Sequence, residues 1–261
     1  MGPCVTELQV LELAAIFAVV AMLYSCVGHA GASGYLAAMA LVGVVPEVMR
    51  PTALTLNIAV AAFTTWRFRN ARFFDAKVVG PFLIGSVPLA FIGGSIKLTS
   101  PMYYALVGGV LLCSAVYLAW RALSGVDHRD EISVNIPPLA PPFIGAVIGL
   151  LSGLTGTGGG IFLSPFILMM GWAGPKSTAG ISAPFIMVNS MAGLAGGMIA
   201  GSFSFATIPN ATLPLTGAAL IGAVVGTWLG IYKLPNRILI VTLSIVMMIA
   251  AAKLISLSWG T

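Results

Sequence analysis

Charge is what this chain has least of. Only 7% of its 261 residues are Asp, Glu, Lys or Arg, against about 25% in a typical soluble domain. None occurs from Ile132 to Pro175, and none from Ser177 to Tyr232. No soluble fold has enough interior to hide such runs, so a soluble protein is excluded and the bilayer becomes the solvent. Carboxylates are scarcer still, with no Asp or Glu after Glu131. A two-carboxylate catalytic site or a carboxylate-rich cation site would have to come wholly from the first half, where the acids sit near ends and loops. That favours an anion over a cation as cargo. Cys4, Cys26 and Cys113 form no CxxC pair and two lie in apolar segments, which argues against a disulfide or a metal site. No GxxxxGK[ST] run is present, so no ATP-binding loop is expected and uphill movement would draw on a gradient or another protein. No Lys or Arg precedes Arg50, so the basic start of a cleavable signal peptide is missing.

What remains is mostly apolar. Hydrophobic residues make up 59% of the chain, and ten apolar stretches can be marked: about 8–28, 31–45, 51–66, 78–96, 101–120, 139–156, 159–173, 177–200, 207–230 and 237–257. The second and seventh, at roughly 15 residues, fall short of the ~20 a spanning helix needs. They read as half-helices or re-entrant segments that begin within the membrane. One clearly aqueous linker, Arg121 to Pro142, separates a first membrane repeat (1–120) from a second (143–261). The net charge of +5 does not read as a nucleic-acid footprint, because the basic residues sit between apolar segments, where they orient a membrane protein.

A glycine-and-proline motif occurs in both repeats. The first copy is Gly28-His29-Ala30-Gly31-Ala32-Ser33-Gly34, an apolar run to Gly43, Pro46, then Arg50-Pro51-Thr52-Ala53. The second is Gly156-Thr157-Gly158-Gly159-Gly160, an apolar run to Gly171, Pro175, then Ala179-Gly180-Ile181-Ser182. Duplicated halves with interrupted apolar segments at matching positions point to a transporter with its site between the repeats. Loop charges point to inverted halves, whereas re-entry by the second and seventh segments alone would leave four crossings per half and parallel repeats. Arg67, Arg69, Arg72 and Lys77 follow the third segment, whereas its counterpart near Gly201–Thr207 is uncharged; in the next loop the bias reverses, with Lys97 alone against Lys233 and Arg237. Basic loops stay cytoplasmic, and inversion needs an odd number of crossings per half, five or three plus a helical hairpin. Both termini would then lie outside and the linker in the cytoplasm. Gly145, Gly149, Gly153 and Gly222, Gly226, Gly230 recur every four residues, as ridges for close helix packing do.

Candidate binding residues follow from the motifs. In Thr155-Gly156-Thr157-Gly158-Gly159-Gly160, glycines expose backbone N–H groups, the following helix adds a partial positive end, and the threonines add hydroxyls; this is an anion-binding device. Gly28, His29, Gly31 and Ser33 repeat the logic with side-chain donors. Glycine-permitted helix breaks with no ligand are the competing reading. His29 is the only ionisable side chain within Gly28–Gly34 or Gly156–Gly160 and offers a proton relay or positive charge; a neutral, hydrogen-bonded structural histidine is the alternative. Arg50 and Lys176 follow the two prolines and either draw an anion inward or anchor helix ends. Thr52 and Ser182 offer hydroxyls at helix starts. Asn57 and Asn189 lie deep in apolar runs and need a partner, substrate or helix.

These residues resemble the TauE/SafE family of sulfite exporters, also called the toluene-sulfonate uptake permease family. The glycine-rich run, apolar stretch, Gly-x-x-Pro and following small-and-hydroxyl segment occur in both halves: Gly156–Gly160 to Gly171-Trp172-Ala173-Gly174-Pro175 and Ala179–Ala183, and Gly28–Gly34 to Gly43-Val44-Val45-Pro46 and Arg50–Leu54. The resemblance implies a bacterial inner-membrane permease for sulfite, organosulfonates or related sulfur-containing anions. The chain departs from the pattern where His29, Ala30 and Ala32 stand in place of glycine, and where Arg50-Pro51-Thr52 replaces Val-Gly-Thr. The expectation is an all-α, polytopic integral membrane protein, a secondary transporter and not an enzyme. Its partners would be a small anionic substrate, a coupling proton and the lipid bilayer, with no cofactor, metal or nucleic acid. Alternatives are a permease for another small organic anion and an intramembrane enzyme. The latter needs a nucleophile–base pair or metal cluster that His29 and the distant His128 do not supply.

Overall fold

Each of the ten apolar stretches forms a helix. The computed structural model describes residues 7–42, 44–123, 136–203 and 212–259, so most of the Arg121–Pro142 linker, Gly43 and the end of the Gly201–Thr207 loop lie outside the described residues. The helices are α1 (Glu7–Ser25), α2 (Ala32–Leu41), α3 (Pro46–Asn70), α4 (Ala76–Ser95), α5 (Ser100–Leu123), α6 (Ala140–Thr155), α7 (Gly160–Met169), α8 (Pro175–Ile199), α9 (Thr212–Trp228) and α10 (Asn236–Trp259). A π-helical turn, Leu229–Lys233, extends α9. No strand is present among the described residues.

Two helix starts differ from the apolar boundaries. α3 begins at Pro46 and α8 at Pro175 rather than a few residues later, because proline at the first helical position gives up an N–H that has no partner there. The short helices are 10 residues each, tighter than the apolar runs, since Val44 and Val45 before α3 and Met170–Gly174 before α8 are not helical. Ten residues rise about 15 Å, half a hydrocarbon core. α4 is capped by Asp75, whose Oδ1 accepts from the Lys77 amide at 2.8 Å.

The glycine ridges pack backbone on backbone. A Cβ on Gly145, Gly149 or Gly153 of α6 would strike the carbonyls of Phe82, Ser86 and Ala90 on α4, and one on Gly222, Gly226 or Gly230 of α9 would strike those of Ala18, Met22 and Cys26 on α1. Both series rise together, so each pair runs parallel. α1 therefore pairs with α9 as α6 pairs with α4, an element of one half against an element of the other. α3 lies against α8, and α5 against α10. α3 and α8 run antiparallel: Arg50 faces Phe203 just beyond α8, Asn57 bonds Ser190, and Gly180 meets Phe73 just beyond α3.

The surface is inverted in polarity. Large apolar side chains such as Ile84 (73% exposed) and Ile199 (77%) face outward, while Asn57, Asn189 and Ser182 are fully buried. Polar groups hidden inside and apolar ones outside suit a lipid solvent. Among the described residues three helical stretches, Ala76–Ser95, Pro175–Ile199 and Thr212–Lys233, are long and apolar enough to cross a membrane.

Candidate functional site

The two breaks between short and long helices share one backbone trick. α1 turns at Gly28 (φ +77) and α6 at Gly156 (φ +77), and each glycine abuts the fifth residue of the other half's long helix: Gly28 against Ala179 of α8, Gly156 against Arg50 of α3. The duplicated motif thus folds to matching contacts across the half boundary.

Beyond Gly156 the chain stays left-handed at Gly158 (φ +77) and Gly159 (φ +83) before α7 begins. Both conformations cost a side-chain-bearing residue strain that glycine avoids. Gly159 caps α7 with no side-chain hydrogen bond. Among the described residues no backbone carbonyl takes the amides of Thr157, Gly158, Gly159 or Gly160. These N–H groups and the helix end form a partial positive pole buried inside the protein. The pole is met by side chains from both halves. A Cβ at Gly158 would lie 2.8 Å from Ser190 Oγ and 2.9 Å from Asn57 Nδ2, and one at Gly160 would lie 3.1 Å from the His29 ring.

His29 joins the two motifs. Its Nε2 lies 3.2 Å from Ser164 Oγ on α7, and Ser164 Oγ lies 2.7 Å from Ser182 Oγ on α8. The ring sits edge-on to Tyr24. Asn57 donates to Ser190 Oγ at 3.4 Å, while its Oδ1, His29 Nδ1, Thr52 Oγ1, Ser152 Oγ and Asn189 Oδ1 are buried without a hydrogen-bond partner among the described residues. A buried polar atom left unpaired costs about 1–3 kcal/mol, and those of Asn57, Ser152 and His29 belong to side chains that border Gly158–Gly160, where a polar ligand is favoured.

The structure therefore brings His29, Asn57, Gly158, Gly159, Gly160 and Ser182 into one neighbourhood, and buries Thr52 and Asn189 in the helices around it. Other candidates are engaged elsewhere. Ser33 Oγ lies 2.7 Å from Tyr24 Oη, and Gly31 packs on the Tyr35 ring, whose hydroxyl donates to Ala30 O at 2.6 Å. Thr155 and Thr157 hydroxyls pair at 2.8 Å, and the Tyr103 hydroxyl donates to Thr155 O. Arg50 donates to Ile96 O (3.0 Å), Gly93 O and Gly94 O (3.3 Å each) and Gly153 O (2.5 Å), capping α4 and α6. Lys176 donates to Ile231 O at 3.2 Å. Sequence reasoning missed Ser164, Ser190 and Ser152. Ser190 had a legible signal, standing next to Asn189 in an apolar run; Ser164 had none, because a lone serine in a short apolar helix is ordinary.

No solved structure matches the chain. Two curated relatives do. The "Probable membrane transporter protein y4hK" of Sinorhizobium fredii is 37% identical over 253 residues, 95% of this chain and 99% of that protein. The "Probable membrane transporter protein MJ0441" of Methanocaldococcus jannaschii is 28% identical over 178 residues, 66% of this chain and 64% of that protein. The sequence model of the family described as "Sulfite exporter TauE/SafE" matches residues 13–254. This coverage, from within α1 to within α10, takes in both glycine motifs and every helix of the site, and the chain belongs to the TauE/SafE family of membrane transporters.

Proposed function

We propose that this protein is a secondary transporter for a small sulfur-containing oxyanion, sulfite or an organosulfonate, in a bacterial inner membrane. The observation that carries the reading is the α7 N-terminus: amides at Thr157–Gly160 that no backbone carbonyl takes, buried, with His29 and Asn57 of the first half and Ser190 of the second around them. Backbone donors and a helix pole favour a negative ligand, and hydroxyl and amide groups select an oxyanion by hydrogen bonds. The family description, sulfite exporter, supports that cargo class.

Access would alternate between two inverted halves. The antiparallel run of α3 against α8, and the pairing of α1 with α9 and α6 with α4, support a two-fold axis in the membrane plane. Each half then makes three full passes plus a helical hairpin whose second arm is the short α2 or α7. Arg67 sits over the Tyr232 ring, which puts the basic loop 67–77 and Lys233 at one end, as a cytoplasmic face requires. Lys97 lies beside Arg50 at the other. His29, bonded to Ser164 across the halves, is placed to couple proton movement to the cycle. The test is flux into proteoliposomes holding the purified protein: sulfite and organosulfonates should enter and compete with one another, and uncharged isosteres should not. Transport of amines or metal cations, with no flux of any of these anions, would overturn the assignment.

A further inference from the structure

Arg50 and Lys176 stand outside the oxyanion site, yet their surroundings match. Each lies in the first turns of a long helix, α3 or α8. Each donates to carbonyls at the C-terminal end of the next long helix of its own half: Arg50 to Gly93, Gly94 and Ile96 at the end of α4, Lys176 to Ile231 at the end of the α9 extension. Each also faces an aromatic ring just past the long helix of the other half. The Arg50 guanidinium is 5.6 Å from the Phe203 ring centre, and the Lys176 ammonium 6.0 Å from that of Phe73. The two constellations lie at opposite ends of the antiparallel α3–α8 pair.

We infer that these are the two gates of the transporter: Arg50 with Phe203 latches one mouth, and Lys176 with Phe73 latches the other. Each latch ties a moving half to its partner through a cation–π contact, while the helix-end carbonyls hold the cation in place. The grips differ in strength. Arg50 is nine-tenths buried, spreads over four carbonyls, and through Gly153 O also grips α6 of the other half; a lysine offers a point charge in place of that fork. At the Arg50 end a cavity of about 50 Å³ opens beside the latch, lined by Glu47, Lys97, Tyr103 and Ser202 as well as Arg50 and Phe203. Two cations face one carboxylate there, so the mouth behind this latch attracts anions.

The inference rests on the alternating-access reading above, but its test needs no substrate. In a background with Cys4, Cys26 and Cys113 replaced by Ser, Ser164→Cys places a thiol beside His29, between the two ends. A membrane-impermeant thiol reagent is then applied from either side. Phe203→Leu removes one ring and keeps its apolar bulk, and should raise the labelling rate from the Arg50 side alone by about tenfold, the scale of losing a desolvated cation–π contact. Phe73→Leu should do the same from the Lys176 side alone. Arg50→Lys, which keeps the charge but not the fork, should shift labelling in the direction of Phe203→Leu. Unchanged rates in both leucine variants, or rises from the same side or from both sides, would overturn the paired latch. Side-specific labelling without sulfite flux would keep the latches and remove the substrate assignment; flux with unchanged labelling would do the reverse.

Discussion

Replacing Gly158 by alanine tests the oxyanion site with a single methyl group. The residue sits at φ +77, where an L side chain loses roughly 1–2 kcal/mol. The methyl would also lie 2.7 Å from Ile186 Cγ2, 2.8 Å from Ser190 Oγ and 2.9 Å from Asn57 Nδ2, each closer than a real Cβ contact. Relieving them pushes Asn57 and Ser190 away from the α7 amides, an overpacking cost of about 1–3 kcal/mol. The sum is roughly 2–5 kcal/mol of stability, and the side chains displaced are those that would face the anion. Gly171→Ala is the matched control: its φ is +65 and nothing lies within 4 Å of the added methyl, so it carries the backbone term alone. Thermal unfolding in detergent and sulfite flux in proteoliposomes should then separate. Gly171→Ala loses roughly 1–2 kcal/mol and transports normally. Gly158→Ala loses more and transports at least about tenfold less, as expected when ~1.4 kcal/mol or more of substrate interaction is lost. Wild-type flux in Gly158→Ala would refute the assignment and leave the glycine as a helix break.

Gly149→Ala drives a methyl into the Ser86 carbonyl, and Gly226→Ala into that of Met22; each should cost about 1–3 kcal/mol in thermal unfolding, with similar losses if the two interfaces are equivalent. In a Cys-free background, Lys77→Cys and Ser202→Cys, in equivalent loops of the two halves, should react with an impermeant thiol reagent from opposite faces of the membrane, and reaction of both from one face would exclude inverted halves. Asp75→Ala removes the cap on the Lys77 amide and should cost ~1 kcal/mol without altering flux. His29→Gln keeps a hydrogen-bonding side chain near Ser164 but cannot titrate; if His29 relays protons, wild-type flux depends on pH and the variant's does not.

The helices were legible in the sequence because the bilayer makes the signal one-dimensional: an uninterrupted apolar run can only be a helix there. Their number and order follow from the runs. The ends at Pro46 and Pro175 shift because helix starts are set by proline geometry rather than hydropathy. Packing was partly legible. The spacing of Gly145, Gly149 and Gly153 announces a close contact, but only the structure names α4 as its partner. Arg50 shows the limit. As a basic residue near a helix start it reads equally as an anion attractor or an interfacial anchor. Its four carbonyl partners come from positions 43 to 103 residues away, and no local pattern predicts that reach.

The duplicated motif has also divided its labour, which the repeat pattern alone conceals. In the second half the break is almost all glycine, its threonine hydroxyls are paired with each other, and the Thr157–Gly160 amides meet no backbone carbonyl. In the first half the same segment is filled: Tyr24 holds Ser33, Tyr35 holds the Ala30 carbonyl and packs on Gly31, and His29 projects across to Ser164. Ala30 and Ala32 stand where glycine would have allowed closer approach, and both are buried. A symmetric pair of helix poles would bind an anion between equal donors. Here one half offers backbone N–H groups, which do not titrate, and the other offers an imidazole, which is a titratable group. A site split this way can hold charge with one repeat and sense protons with the other. On this argument a glycine or threonine at position 29 would restore the symmetry of the site, and if His29 couples protons to transport it would also abolish the pH dependence of flux.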